Sequence, residues 1–577
     1  MIATSIRGID VAVLCAYLAL MAGIGAYFTR YIRAGTDFLK GGNRIEWWVA
    51  GMASFMSGFS VWTFTGGAGF AYRNGVIGVF LLLLASPAFV IGYFVFATRW
   101  RRARVTTVVE YVRSRFGDLT HKVFSWMTVP SQLVFGGVRL FALSSFMSIA
   151  LGVPVPHLVV GCGLVILLYT TLGGYWAVCF TDMFQFMFLF PIACLLAILS
   201  LESVGGFEGF AARAPAGFFD PFAGEYGWLF LLAYTVSQTV GYNNFANAQR
   251  YFCADTERSA RKIALLCTGL FTLGSFVFYL PPLVARIVLP ELATTPNGLE
   301  EPTEAAYVAM GMKLLPGGLA GVLLAAMLAS SMASLSATNH IVTGIVARDL
   351  YQGYLRPDAS DAHMLRVSRR ASVFVGLAMI GLALLFAGGA TSVFTLLFVF
   401  ESIFLIPLGL PLLFGLLSAR GPWWSALFAY VVGASTALVV AFATGKAEGS
   451  EKWMIAIPAV ATTAAFFAPA LLVRARDAFA QRVAAFFALL ATPVDPEREL
   501  GKTQLSGREQ LAIVGRVTTG MGLACFAIMA SAPTPRERWI TGLYALTTTL
   551  LGAAFVVAGR ARPTAAPAAT SISATTR

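Results

Sequence analysis

Charge is what this chain has least of. Asp, Glu, Lys and Arg make up 12% of its 577 residues, about half the share of an average soluble domain. A water-soluble protein of this size needs a far more polar surface, which excludes a soluble enzyme. Histidine is nearly absent, with His121, His157, His340 and His363 scattered along the chain. The seven cysteines form no CxxC and no Cys/His metal spacing, and most lie in apolar runs, so no disulfide framework or zinc site is legible. A reactive constellation of clustered His/Asp or Cys/His, which a membrane enzyme needs, is missing as well. The N-terminus lacks a basic stretch followed by a short apolar core and a cleavage site, so it reads as a retained first helix. No connection between apolar runs exceeds about 40 residues, so no separate soluble domain is expected.

What is abundant is apolar sequence. Hydrophobic residues make up 58% of the chain, and the mean hydropathy is +0.75. Several runs exceed the roughly 18 residues that span a bilayer. Their continuity excludes a β-barrel, whose strands alternate apolar and polar residues. The 56 glycines and 11 tryptophans suit spanning helices and their interfaces. Fifteen helices are expected, at 9–28, 47–72, 76–98, 122–150, 157–177, 181–200, 228–249, 263–288, 318–347, 371–389, 392–417, 423–444, 453–473, 511–531 and 540–559.

The net charge of +13 does not point to nucleic acid, because the bases lie in short loops between apolar runs. With the N-terminus outside, clusters such as Arg99, Arg101, Arg102 and Arg104, or Arg366, Arg369 and Arg370, fall inside. The outside receives only Arg7, Arg73, Arg213, Arg286, Lys313, Lys446, Lys452, Arg536 and Arg538. That asymmetry sets the expected orientation, with the C-terminus inside. The longer outside loops 201–227 and 289–317 are read either as short lids or as solvated acidic loops. Residues 478–491 are read as a helix lying flat on the inner face. The Ala/Thr/Ser-rich tail 563–577 is expected to be disordered.

Polar residues at depth carry the functional signal. Segment 47–72 holds Gly51, Ser54, Ser57, Gly58, Ser60, Thr63, Thr65, Gly66, Gly67 and Gly69. Such a run favours an unwound stretch whose carbonyls can coordinate a cation, or else close packing through small residues. Ser330, Ala333, Ser334 and Ala337 share one helix face, which suits a sodium ion or a tight seam equally. Asp182 is either an ion-pathway acid or a carboxylate paired with a loop arginine. Arg139 and Glu401 sit about 16 and 13 Å from the outer ends of their helices, at 1.5 Å per residue. At that depth each needs a partner, either the other or a substrate. Asn243, Asn244 and Asn247 form an amide cluster that suits a polar substrate or a helix cap.

The runs FLKGGNRIEWW (38–48), YTTLGGYWAVCFTDMFQ (169–185), NAQRYFCADTERSARKIAL (247–265) and AAMLASSMASLSATNHIVTGIVARDLY (325–351) resemble the sodium:solute symporter family. The likeness runs in order through about residues 8–475. It implies an all-α integral membrane protein with LeuT-type inverted five-helix repeats, one extra N-terminal helix and about four extra C-terminal helices. The expected layout is 1–46 as N-terminal helix and loop, 47–200 as first repeat, 228–417 as second repeat and 423–473 as post-core helices. Then follow 474–510 as an amphipathic cytoplasmic segment, 511–559 as an appended pair and 560–577 as tail.

The resemblance also implies a sodium site made from Ala53, Met56, Ser330, Ala333 and Ser334, with Asp182 as a further ion residue. The family often has two adjacent hydroxyls where this chain has Ala333–Ser334, so one ligand is missing. For substrate it points to Arg139 and Glu401, with Asn244, Trp62 and Ser57 completing the candidate set. An arginine with a glutamate suits a small organic acid or a zwitterion such as an amino acid, with a sugar-like solute also open. The implied activity is sodium-coupled symport without a catalytic residue or other cofactor, in a bacterial inner membrane. Lipids and the solute are the expected partners, with neither nucleic acid nor an oligomer required. The alternatives are a proton-coupled carrier of the same fold and a transporter-like sensor.

Overall fold

A computed structural model describes residues 7–32, 35–43, 45–222, 226–294, 301–387, 398–444, 449–472, 477–499 and 506–560. Among these residues the protein is helical, and the tail expected to lack structure lies outside them. In chain order the helices that matter here are α1 (Gly8–Phe28), α2 (Trp47–Ser57), α3 (Val61–Phe64), α4 (Gly66–Asn74) and α5 (Ile77–Arg102). Next come α6 (Glu110–Phe116), α7 (Asp118–Leu151), α8 (Val155–Ser203), α9 (Gly227–Asn243), α10 (Phe245–Phe252) and α11 (Glu257–Val288). They are followed by α12 (Leu319–Leu355), α13 (Asp361–Phe386), α14 (Phe398–Leu417), α15 (Ser425–Thr444) and α16 (Glu451–Leu472). The chain closes with α17 (Asp477–Ala491), α18 (Gly507–Ala530) and α19 (Pro535–Arg560). Eleven of the described helices are long and apolar enough to cross a membrane unaided. Three more expected spans are not among the eleven: 122–150 is continuous within α7, whereas 47–72 divides into α2, α3 and α4, and 228–249 into α9 and α10.

The first interruption follows from composition. Helix α2 ends at Gly58, and Ser60 is extended at φ −152°, ψ 174°. One turn later Thr65 leaves helical geometry again. The second interruption lies where Asn244 is extended and Phe245 adopts φ 47°, a conformation a bulky residue rarely holds without support. Two side chains supply that support. Asn244 Nδ2 donates to the Gly409 carbonyl at 3.0 Å, and Trp100 Nε1 donates to the Asn243 carbonyl at 2.8 Å.

A boundary also moves. The expected helices 157–177 and 181–200 meet at Gly174 instead, where α8 bends at φ 53°. A side chain there would clash with Phe38, its Cβ falling 2.9 Å from the ring and 3.1 Å from the Phe38 carbonyl. Only glycine permits the bend. Asp182 therefore sits two turns inside its helix, fully buried, rather than near its end.

Helix α12 is the axis of the molecule, with every residue from Leu319 to Gly344 buried. Its alanines, serines and glycines let helices pack against it on all sides. Its first turn is capped from a distance: Asp10 Oδ1 accepts from the Gly318 and Gly321 amides at 2.7 and 2.8 Å. An acid there satisfies orphan donors and opposes the helix dipole. Asp10→Ala is expected to cost about 1–2 kcal/mol, readable as a lower thermal midpoint in detergent.

The loops read as lids carry short helices at Gly206–Arg213 and Ala306–Leu314. Helix α17 lies across the arginine-rich end with Val483, Phe486 and Leu490 buried, and Arg104 donates to the carbonyls of Leu489 in its last turn and of Thr492 and Pro493 just past it. Helices α18 and α19 form a hairpin whose Gly515, Gly522 and Gly552 bring the two backbones together. A Cβ on any of them would meet the partner's backbone nitrogen at 2.4–2.5 Å.

Candidate functional site

Both helix breaks face one cavity. It measures ≈ 140 Å³ and is lined by Ser57, Gly58, Ser60, Trp62 and Thr63 from the first break and by Phe245 and Asn247 from the second. Helix α12 contributes Ser334, Thr338 and Ile341, α7 contributes Gln132, Phe135 and Arg139, α9 contributes Tyr234, Gln238 and Tyr242, and α14 contributes Phe398 and Glu401. Trp62 and Tyr234 pack near Phe398, with ring centroids 6.4 and 5.7 Å away.

Arg139 and Glu401 therefore share a cavity, but they do not share a bond. Arg139 Nη1 donates to Thr338 Oγ1 at 3.3 Å and its guanidinium lies 5.7 Å from the Phe135 ring. Glu401 Oε2 accepts from Ser237 Oγ at 3.0 Å. The two do not form an ion pair within 4.0 Å among the described residues. Glu401 opens a π-helical turn, Glu401–Leu405, a local widening that is common at functional sites.

The sequence-nominated ion residues flank the first break. Ala53 and Met56 lie in the last turns of α2, and Ser330, Ala333 and Ser334 lie on α12, which packs against α2. All five are buried. Ser334 Oγ donates to the Ser331 carbonyl at 3.0 Å and keeps its lone pairs for another partner. Ala333 brings no hydroxyl. Ser331, not among the residues nominated from sequence, pins the break: its Oγ accepts from the Val61 amide at 2.8 Å. That amide would otherwise be an orphan at a helix start.

Two of the nominated residues stand apart from the cavity. Ser57 and Trp62 line the cavity. Asn244 does not, because its amide is committed to Gly409; Asn247 of the same cluster lines it instead and accepts from Ser54 Oγ at 2.5 Å. Asp182 is also outside the lining. Its Oδ2 accepts from Arg250 Nη2 at 2.9 Å, and Arg250 Nη1 reaches Cys179 Sγ at 2.9 Å. Gln132, Gln238 and Thr338 escaped the sequence reading, although Thr338 lies one turn beyond Ser334 on the same face. No group of three or more His, Cys, Asp or Glu that could hold a metal occurs among the described residues.

Two interrupted helices around a buried polar cavity are the arrangement on which many secondary-transporter folds build their sites. The chain belongs to the sodium:solute symporter family, whose profile matches residues 38–433. It is 26% identical over 407 residues to the human sodium/myo-inositol cotransporter 2, covering 62% of this chain and 58% of that protein. It is 24% identical to the sodium/glucose cotransporter of Vibrio parahaemolyticus, covering 63% and 73%, and 27% identical to the sodium/sialic acid symporter SiaT of Proteus mirabilis, covering 65% and 78%. The chain thus spans under two thirds of the human relative's length. The solved structure of a Na⁺-coupled sialic acid symporter in a substrate-bound outward-open state superposes with a TM-score of 0.70 at 20% identity, covering 82% of this chain and 99% of that one. The fold is therefore shared.

Proposed function

We propose that the protein is a secondary active transporter that couples inward movement of sodium to uptake of a small polar organic solute by alternating access. In this reading 47–200 and 228–417 are inverted repeats, each beginning with one of the two broken helices. The membrane is a bacterial cytoplasmic one, with the N-terminus outside and the arginine-rich end inside. The observation that carries the reading is that both breaks open onto one cavity, with the ion candidates flanking the first. Broken helices at midplane expose carbonyls and helix ends to ions and solutes. The cavity's ≈ 140 Å³ suits a solute smaller than those held in drug-sized sites of roughly 300–1,000 Å³. Arg139 and Glu401 held apart suit a zwitterion, its carboxylate on the arginine and its amine on the glutamate.

Uptake of a labelled panel of amino acids, organic acids and sugars into proteoliposomes, with and without a sodium gradient, tests this directly. Ser334→Ala is expected to weaken sodium affinity by about 1–3 kcal/mol, or roughly 5–150-fold, without loss of fold. Ala333→Ser adds a hydroxyl and is expected to tighten it. Uptake indifferent to sodium in all three proteins but driven by a pH gradient would instead favour proton coupling, with Glu401 or Asp182 as the proton site.

A further inference from the structure

Three cavities lie in a row along one side of α12. The central one ends at Ile341. The same Ile341 lines a second, of ≈ 10 Å³, together with Thr107, Gln249, His340 and Gly344. Thr107 Oγ1 donates to Asp349 Oδ2 at 2.6 Å, and Asp349 lines a third cavity of ≈ 250 Å³ at the arginine-rich end, beside Glu110, His121 and Arg348. Thr338, Ile341 and Gly344 recur at three-residue steps on one helix face. From Ile345 the helix winds as a π-helix down to Leu355, so the face continues to Asp349 over a widened turn.

Two closures interrupt this row. One is the Ile341 side chain. The other is a chain of hydrogen bonds: Thr107 to Asp349, Asp349 Oδ1 to His121 Nε2 at 2.9 Å, and His121 Nδ1 to the Tyr354 hydroxyl at 2.5 Å. It ties the connection between α5 and α6, the first turn of α7 and the far end of α12. His121 and Asp349 side chains are each 2% exposed. Around them lie Lys122, 4.6 Å above the Tyr354 ring, and Arg113, 5.1 Å above the same ring and paired with Asp118 at 3.0 Å.

We propose that the solute leaves the central cavity along this face of α12, and that the Thr107–Asp349–His121–Tyr354 chain is the latch that shuts its arginine-rich end. The inference rests on the transport reading. A buried carboxylate must keep its hydrogen bonds or be rewetted. While the three elements are together, Thr107 and His121 satisfy Asp349; when they part, water from the third cavity replaces them. The same bond therefore holds the closed state and leaves a polar wall in the open one. A tie with a purely structural role has no need to sit between two cavities.

A reporter cysteine tests the latch without knowledge of the solute or of the coupling ion. A Cβ at Gly344 would rest 3.5 Å from Thr107 Cγ2 and 3.8 Å from Leu39 Cδ2, ordinary contact distances. Gly344→Cys is placed in a chain whose seven native cysteines are replaced, and its labelling by a membrane-impermeant maleimide is timed in inside-out vesicles. The parent is expected to label slowly. Thr107→Val removes only the hydroxyl bond, and both it and Asp349→Asn are expected to raise the rate about tenfold, the shift one lost hydrogen bond gives a closed–open equilibrium. Equal rates in the parent and Thr107→Val overturn the latch. So does acceleration that appears equally with reagent applied to the opposite face. Failure of sodium-driven uptake alongside accelerated labelling would sink the coupling reading and leave the latch standing.

Discussion

Glu401→Gln is expected to lower affinity for an amine-bearing solute by about 2–4 kcal/mol, roughly 30–1,000-fold, while sodium still binds and the protein still folds. Two arrangements were open for Arg139 and Glu401. In a structural pair each charge satisfies the other, and a single neutralisation strands its partner in the protein. In a divided pair each charge has its own neutral partner and faces the cavity. The geometry is the second: Arg139 rests on Thr338 and Glu401 on Ser237, both around one empty volume. Single hydroxyl partners leave most of the hydrogen-bonding capacity of a guanidinium and a carboxylate unused. Solute binding to detergent-solubilised Glu401→Gln, Arg139→Gln and the double variant separates the readings. Arg139→Gln is expected to weaken carboxylate-bearing solutes by a similar factor, and the double change to bind worst of all. Recovery of thermal midpoint in the double variant relative to both singles would instead establish a structural pair.

The sequence made some of this site legible and hid the rest for physical reasons. Arg139 and Glu401 stood out because a charge within an apolar run is costly. The first helix break stood out because glycines and hydroxyl residues crowd the 47–72 run. The break at Asn244–Phe245 was legible only as an amide cluster that could cap a helix, because Tyr242, Phe245 and Ala248 around it are ordinary in helices. It is imposed by Trp100 and by Gly409, distant in sequence. The same long-range bond took Asn244 out of the cavity. Gln132 and Gln238 could not be told from lipid-facing or interhelical amides without knowing which helix faces point inward. Gly174 misled the boundary because an apolar run continues through it, and only the approach of Phe38 shows why a bend sits there.

Arg250→Leu is expected to be the most damaging single change to the fold, costing about 3–5 kcal/mol. Arg250 falls just past the expected helix 228–249, yet it is 1% exposed and its partner Asp182 is 0% exposed. The pair joins α8 to α10 at 2.9 Å, while the guanidinium also reaches Cys179 and lies 5.1 Å from the Tyr175 ring. Removing the arginine leaves a carboxylate in the protein interior with neither countercharge nor donor. Asp182 Oδ1 already lacks a hydrogen-bond partner among the described residues, so no second group stands ready to replace Arg250. Removing both charges is a different matter, since a buried pair repays only part of its own desolvation. Arg250→Leu with Asp182→Asn is therefore expected to regain most of the lost midpoint. The double variant also bears on the ion. Arg250 supplies beside Asp182 the positive charge that a sodium ion would bring, so a carboxylate held in this pair has no electrostatic demand for one. Sodium affinity measured by titration on the double variant should match the parent within about threefold, or ~0.7 kcal/mol. A loss well beyond that, in a protein that still melts cooperatively, would place Asp182 among the sodium ligands.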